Sequence, residues 1–206
     1  MIGVRVYNAD VRYFSSDRTI DFLVDHQTIK TSDVVLIAEE SLDEHYKKSI
    51  AYHGERLIEL RKLPFEYPKQ FLKNLKGITK AEIWAALWNT LLDIQPLRHY
   101  VVYNDFTVLS PVRNAVLNNR NCQTWFYNHS CNLVYNYGLD PYRDIPQKNQ
   151  LNFKLLDYDH LVAWNQRVAD HFVEHGGKFR NVHVVGCLWG QCNNGVRLTR
   201  TNKEEQ

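Results

Sequence analysis

Short runs of β-branched and aromatic residues recur along this chain, separated by stretches that carry helix-start signals, and that alternation confines the fold to a few α/β arrangements. The runs are Val34 to Ala38, Tyr100 to Asn104, Gln123 to Tyr127, His160 to Trp164 and Val182 to Gly186. They are apolar in near-continuous blocks, as expected of parallel strands buried on both faces. Ser41-Leu-Asp-Glu44 is a capping-box pattern that opens a helix over Ser41 to Ala51, and Thr79-Lys-Ala-Glu82 opens another over Ala81 to Asp93. In the second helix Trp84, Trp88 and Leu91 recur at helical spacing, which assigns them to a core face. Ser110-Pro111 places a capping hydroxyl before a first-turn proline and starts a helix over Val112 to Asn119. A last helix, Asn165 to His175, stops at Gly176-Gly177, where a left-handed cap is easy. The expected fold is therefore α/β, a Rossmann-like, doubly wound parallel sheet with helices on both faces. One domain should fill residues 1–190, with a surface loop over Tyr135 to Asn149 and an irregular tail over 191–206.

Composition removes several function classes. The 206 residues are 44% hydrophobic, 13% aromatic and 23% charged, with nine Gly and six Pro, so disorder and collagen-like structure are excluded. Lys and Arg exceed Asp and Glu by 25 to 23, too mild a balance to mark a nucleic-acid partner. Four Cys are too few for a disulfide scaffold. The start, Met1-Ile-Gly-Val-Arg-Val, has no charged-then-apolar leader, and a reducing, cytoplasmic setting is expected. Ala81 to Ile94 is too short to span a bilayer and includes Glu82, Asn89 and Asp93, so no integral membrane segment is expected. Neither a Gly-x-Gly-x-x-Gly nor a Gly-x-x-x-x-Gly-Lys loop follows a strand, and no cofactor is expected. Cys122 and Cys131 are too widely separated for a zinc pair, and His171 and His175 lack the Glu of His-Glu-x-x-His. No metal site is expected; the thiols should be buried or inert, and the two histidines should lie on a solvated helix face.

Ligands of open parallel sheets bind beyond the carboxyl ends of the strands. Here that rule singles out Asn104-Asp105, Asn128-His129-Ser130, Trp164-Asn165 and Gly186-Cys187. Asp105 and His129 end strands that flank one crossover helix, so they could share a crevice as carboxylate and imidazole base. Turn chemistry is the plainer account of both. The helix start at Ser110, with Arg113 one turn in, could hold an anionic group, or be an ordinary cap.

Two stretches resemble a known family. Asp159 to Gly186, with Trp164 ending its first strand and Val184-Val-Gly186 its second, looks like the strand, helix and strand that close the N-terminal domain of GT-B glycosyltransferases. The likeness is strongest to the branch near bacterial surface-carbohydrate and CDP-glycerol-type transferases. Tyr103-Asn-Asp-Phe106, Ser110-Pro-Val-Arg-Asn114 and Gln123-Thr-Trp-Phe-Tyr-Asn-His-Ser130 resemble that branch's acceptor-side strand, helix and His-bearing loop. The resemblance implies transfer of a sugar or polyol phosphate from a nucleotide-activated donor to a glycan or lipid-linked acceptor. It implies His129 as general base, with Asp105 and Ser110 as acceptor-site or orienting residues; the strand-end placement adds Asp105 as the catalytic carboxylate beside His129. Asn104, Ser110, Arg113, Asn128, Ser130 and Trp164 would bind substrate. This chain puts Phe126, Tyr127 and Asn128 between Trp125 and the histidine, whereas the family sets His close behind Trp. Only sixteen residues follow Gly190, too few for a donor domain, so the resemblance implies half an enzyme whose nucleotide sugar is held by a missing domain or partner subunit. The competing expectation is a non-catalytic Rossmann-like module that binds a glycan or a protein.

Overall fold

Strand β1 (Ile2–Val6) lies in the middle of the sheet although it opens the chain, because both β2 (Val34–Ala38) and β4 (His99–Tyr103) pair with it. The computed structural model describes residues 1–6, 29–39, 42, 47, 56–63, 80–103, 105–128 and 153–186. The remaining strands are β3 (Arg56–Glu59), β5 (Gln123–Tyr127), β6 (Asp157–Ala163) and β7 (Lys178–Val184), and the helices among the described residues are α1 (Lys80–Ile94), α2 (Ser110–Asn119) and α3 (Gln166–Glu174). All seven strands form one sheet in the order β3-β2-β1-β4-β5-β6-β7. Every neighbouring pair is parallel, which is the Rossmann-like α/β fold expected from the apolar runs.

The connections from β3 to β4, β4 to β5 and β6 to β7 all step in one direction along the sheet, so right-handed crossovers carry α1, α2 and α3 onto the same face. Their apolar residues meet there in the larger core. Trp88 and Leu91 of α1, Leu117 of α2 and Phe172 of α3 pack with Tyr100, Phe126 and Leu161 of the sheet. The chain steps the other way from β1 through β2 to β3. A second, smaller cluster of Val4, Val34, Leu36, Ala38 and Leu42 covers that side. β2 is buried along its whole length, which explains its uninterrupted Val-Val-Leu-Ile-Ala sequence.

β2 and β5 occupy the expected residues, whereas β6 starts at Asp157 rather than His160 and β7 at Lys178 rather than Val182. β7 is the outer strand and mostly exposed, so its polar first half, Lys178-Phe-Arg-Asn181, can pair without being apolar. β1 and β3 were not expected at all. α1 and α3 fall where the sequence placed them, and Asn165 caps α3 by accepting from the Val168 N–H at 2.9 Å. Gly176 takes φ of 98°, the left-handed value expected after that helix. Ser110 requires a correction: it is the first helical residue, and its hydroxyl meets Thr107 Oγ1 at 2.8 Å rather than capping a backbone N–H. The expected helix over Ser41 to Ala51, the loop over Tyr135 to Asn149 and the tail after residue 190 lie outside or almost outside the described residues.

Candidate functional site

The strand order reverses between β1 and β4, and in a doubly wound sheet that switch point opens the crevice in which ligands bind. Four charged side chains converge at its carboxyl edge: Arg5 from β1, Glu39 just after β2, Asp105 just after β4 and Arg113 from α2. They alternate in sign. Arg5 Nη2 lies 2.9 Å from Glu39 Oε2 and Arg5 Nη1 lies 2.7 Å from Asp105 Oδ1. Arg113 Nη1 lies 2.8 Å from Glu39 Oε1 and Arg113 Nη2 lies 2.6 Å from Asp105 Oδ2. Two cations and two anions thus close a neutral ring, the arrangement that lets charge remain in a low-dielectric site.

Neutral groups complete the ring. Tyr158 Oη donates to Asp105 Oδ2 at 2.8 Å and accepts from Arg113 Nη2 at 2.8 Å, while Tyr100 Oη donates to Glu39 Oε1 at 3.2 Å. Asn114 Oδ1 accepts from Arg113 Nε and Nη2, each at 3.0 Å, and its amide nitrogen donates to the Asp157 carbonyl at 2.6 Å. The Thr107 N–H and hydroxyl both donate to Asp105 Oδ1, at 3.3 and 3.1 Å. The Arg113 guanidinium also sits 5.0 Å from the centre of the Tyr100 ring and 5.9 Å from that of Trp88. Burial alone would raise the Asp105 carboxyl, but the guanidiniums of Arg113 and Arg5 hold it well below the ordinary aspartate value. Burial pushes Tyr158 upward, so its hydroxyl stays protonated and remains a donor.

Of the residues singled out in the sequence, Asp105, Ser110 and Arg113 come together here, with Ser110 joined to Asp105 through Thr107. Asp105 and Arg113 have no exposed surface, and the anions that Arg113 holds are the protein's own Glu39 and Asp105. Asn128 follows β5 and is also buried, its N–H donating to the Val162 carbonyl at 3.0 Å. Trp164 follows β6 and is half-buried. Asn104, His129 and Ser130 lie outside the described residues. Sequence reasoning missed Arg5, Glu39, Tyr100 and Tyr158. One signal was present, since Ile2-Gly-Val-Arg-Val6 sets a single charge within an otherwise apolar strand-length run.

His171 and His175 correct another expectation. His171 is buried, with its ring 4.0 Å from that of His175 and 5.4 Å from Phe153, so it packs inward instead of facing solvent. Cys122 is a free, buried thiol pushed up to about 12 by burial and by Asp159, as an inert cysteine should be. Among the described residues no three His, Cys, Asp or Glu side chains are placed to hold a metal ion. No described helix is long and apolar enough to cross a membrane.

A family model described as polysaccharide biosynthesis PFTS motif protein matches residues 67–204. The chain belongs to that family. The match spans well over half of the sequence and takes in β4 through β7, and with them Asp105, Arg113 and the strand ends after β4, β5 and β6. A role in polysaccharide biosynthesis therefore attaches to the half of the sheet that carries most of the candidate site. No curated protein matches the chain.

Proposed function

We propose that this PFTS-family chain is the acceptor-side α/β unit of a GT-B-like glycosyltransferase that builds a surface polysaccharide. One observation supports the reading: within the family match, β4 and the Asp105 that follows it form one side of the sheet's switch point, where ligands of open parallel sheets bind. The charge ring would tie β1, β4 and α2 together at the crevice. His129 would take the proton from an acceptor hydroxyl, with Asn104, Asn128, Ser130 and Trp164 as its companions in substrate binding. Asp105 and Arg113 would act from beneath as positioning residues, since each is already held by the other. A nucleotide-sugar donor would be bound by a further domain or subunit.

The test is made in the source cell. Deleting the gene should abolish or shorten the surface polymer, and the intact gene should restore it. With the native protein and its cellular partners, His129→Ala should lower incorporation of labelled sugar by about 100-fold. Incorporation at the unaltered rate would remove His129 as the base. A second reading is favoured by the neutral ring itself: its two arginines are engaged by two carboxylates, so the ring offers no charge to a phosphate on an acceptor or to a reacting group. On that reading the chain is a non-catalytic glycan- or protein-binding module of the same biosynthetic apparatus. Polymer loss on deletion with no effect of His129→Ala would select it.

A further inference from the structure

At the opposite, amino-terminal edge of the sheet, a cavity of about 330 Å³ lies between the end of α2 and strands β5, β6 and β7. Four carboxamides line it, Asn118, Asn121, Gln123 and Asn181, together with Asp159 and Arg180. Each carboxamide offers donors and an acceptor at fixed spacing, and so can meet the hydroxyl groups of a sugar, which likewise donate and accept. Their positions are set by the fold. The Asn118 carboxamide faces Asp159 Oδ2 at 2.9 Å and the Cys122 carbonyl at 3.2 Å, two acceptors that its nitrogen satisfies when it is the atom turned inward. Asn181 donates to the Asp159 carbonyl at 3.3 Å. Asn121 is held with φ at 57°, a left-handed backbone that asparagine tolerates better than most residues.

Asp159 is the anchor. It is buried, and its Oδ2 accepts from the Thr124 N–H at 2.8 Å and from the Thr124 hydroxyl at 3.1 Å. Its Oδ1 lies 2.6 Å from Arg180 Nη1, so each carboxylate oxygen is held and the side chain is fixed in place. Arg180 itself is largely exposed, so the rest of its guanidinium faces the cavity mouth as a donor. The paired charges make the lining neutral, which argues against an anion such as phosphate. The carboxamides argue against an apolar ligand.

We propose that this cavity is a second carbohydrate site, taking one or two sugar units of the glycan away from the strand-end crevice. The choice of a sugar rests on the polysaccharide role; the polar lining stands independently of it. Occupied at both edges, one chain would grip a growing polymer at two points, which favours retention of the polymer between additions.

The experiment is an NMR titration of the full-length, ¹⁵N-labelled chain with glucose, galactose, N-acetylglucosamine and cellobiose, following the side-chain amide signals of Asn118, Asn121, Gln123 and Asn181. At least one sugar should give saturable shifts confined to these signals and to Arg180. Asn181→Ala and Arg180→Ala should each weaken binding by about fivefold to tenfold. Arg167→Ala, on the exposed side of α3, should leave it unchanged. The site is refuted by shifts from none of the four sugars, by shifts that both cavity variants leave intact, or by inorganic phosphate moving these amides in place of the sugars. Sugar binding here in a chain whose deletion leaves the surface polymer intact would keep the site and reject the biosynthetic role; polymer loss with a silent cavity would do the reverse.

Discussion

Arg113 contributes one guanidinium nitrogen to Glu39 and another to Asp105, and no water reaches it to take over either contact. Removing it leaves two buried carboxylates with Arg5 alone to balance them. Arg113→Met should therefore cost about 3–5 kcal/mol, read as a lower urea midpoint, and Arg113→Lys should restore little because an ammonium cannot reproduce the planar fork. A midpoint within error of the parent would show that the ring contributes nothing to the fold. The ring also has a pH signature. Asp105 titrates below its ordinary value in the folded chain, so its contribution is complete above about pH 4 and is lost as pH falls below that. Half of this cluster was legible in the sequence. Asp105 and Arg113 stand at a strand end and a helix start, places that local rules can find. Arg5 and Glu39 become partners only once β1 and β2 lie side by side, across a separation no local pattern reports.

The elements that were easiest to read are those buried on both sides or strongly capped. β2 is the extreme case, and α3 has both its Asn165 cap and its glycine exit. β1 contains Gly3 and Arg5 within five residues, and β3 is the short Arg56-Leu-Ile-Glu59 with a charge at each end, so neither presents an unbroken apolar run. α3 shows why a helix face cannot be assigned from spacing alone: His171 is i to His175 at i+4, the pattern of an exposed stripe, yet Phe153 from outside the helix covers it. Burial, and then His175, lowers the His171 value to about 4. A histidine held neutral in this way stabilises the fold above its unfolded value near pH 6.5, and that stability drains away as pH falls from there toward 4. His171→Phe keeps the ring contact and removes both the titration and an imidazole nitrogen with no hydrogen-bond partner. The variant should be as stable as the parent or more so at pH 7.5 and should lose less on acidification to pH 5, followed by thermal melts. An equal loss in both proteins would assign the acid sensitivity elsewhere.

At the scale of the whole molecule, the two halves of the sheet pair through β1 and β4 among the described residues, and their junction is also where the charge ring sits. The same feature positions the crevice and ties the halves into one folding unit. Gly3 lies at the centre of that junction, paired with Val35 on one side and Tyr100 on the other. A Cβ there would come within 2.8 Å of both Ile37 and Leu97, inside a packed core. Gly3→Ala should cost about 1–3 kcal/mol through overpacking. Trp84 and Trp88 report from α1, while Trp125 lies on the far half of the sheet in a stack with His160, their ring centres 3.8 Å apart. If the junction makes the sheet one cooperative unit, the tryptophan emission and the far-ultraviolet circular dichroism of Gly3→Ala should fall together, with one midpoint in urea lower than the parent's. Two separated midpoints would mean that the halves unfold independently and that neither the ring nor the shared core makes the sheet one cooperative unit.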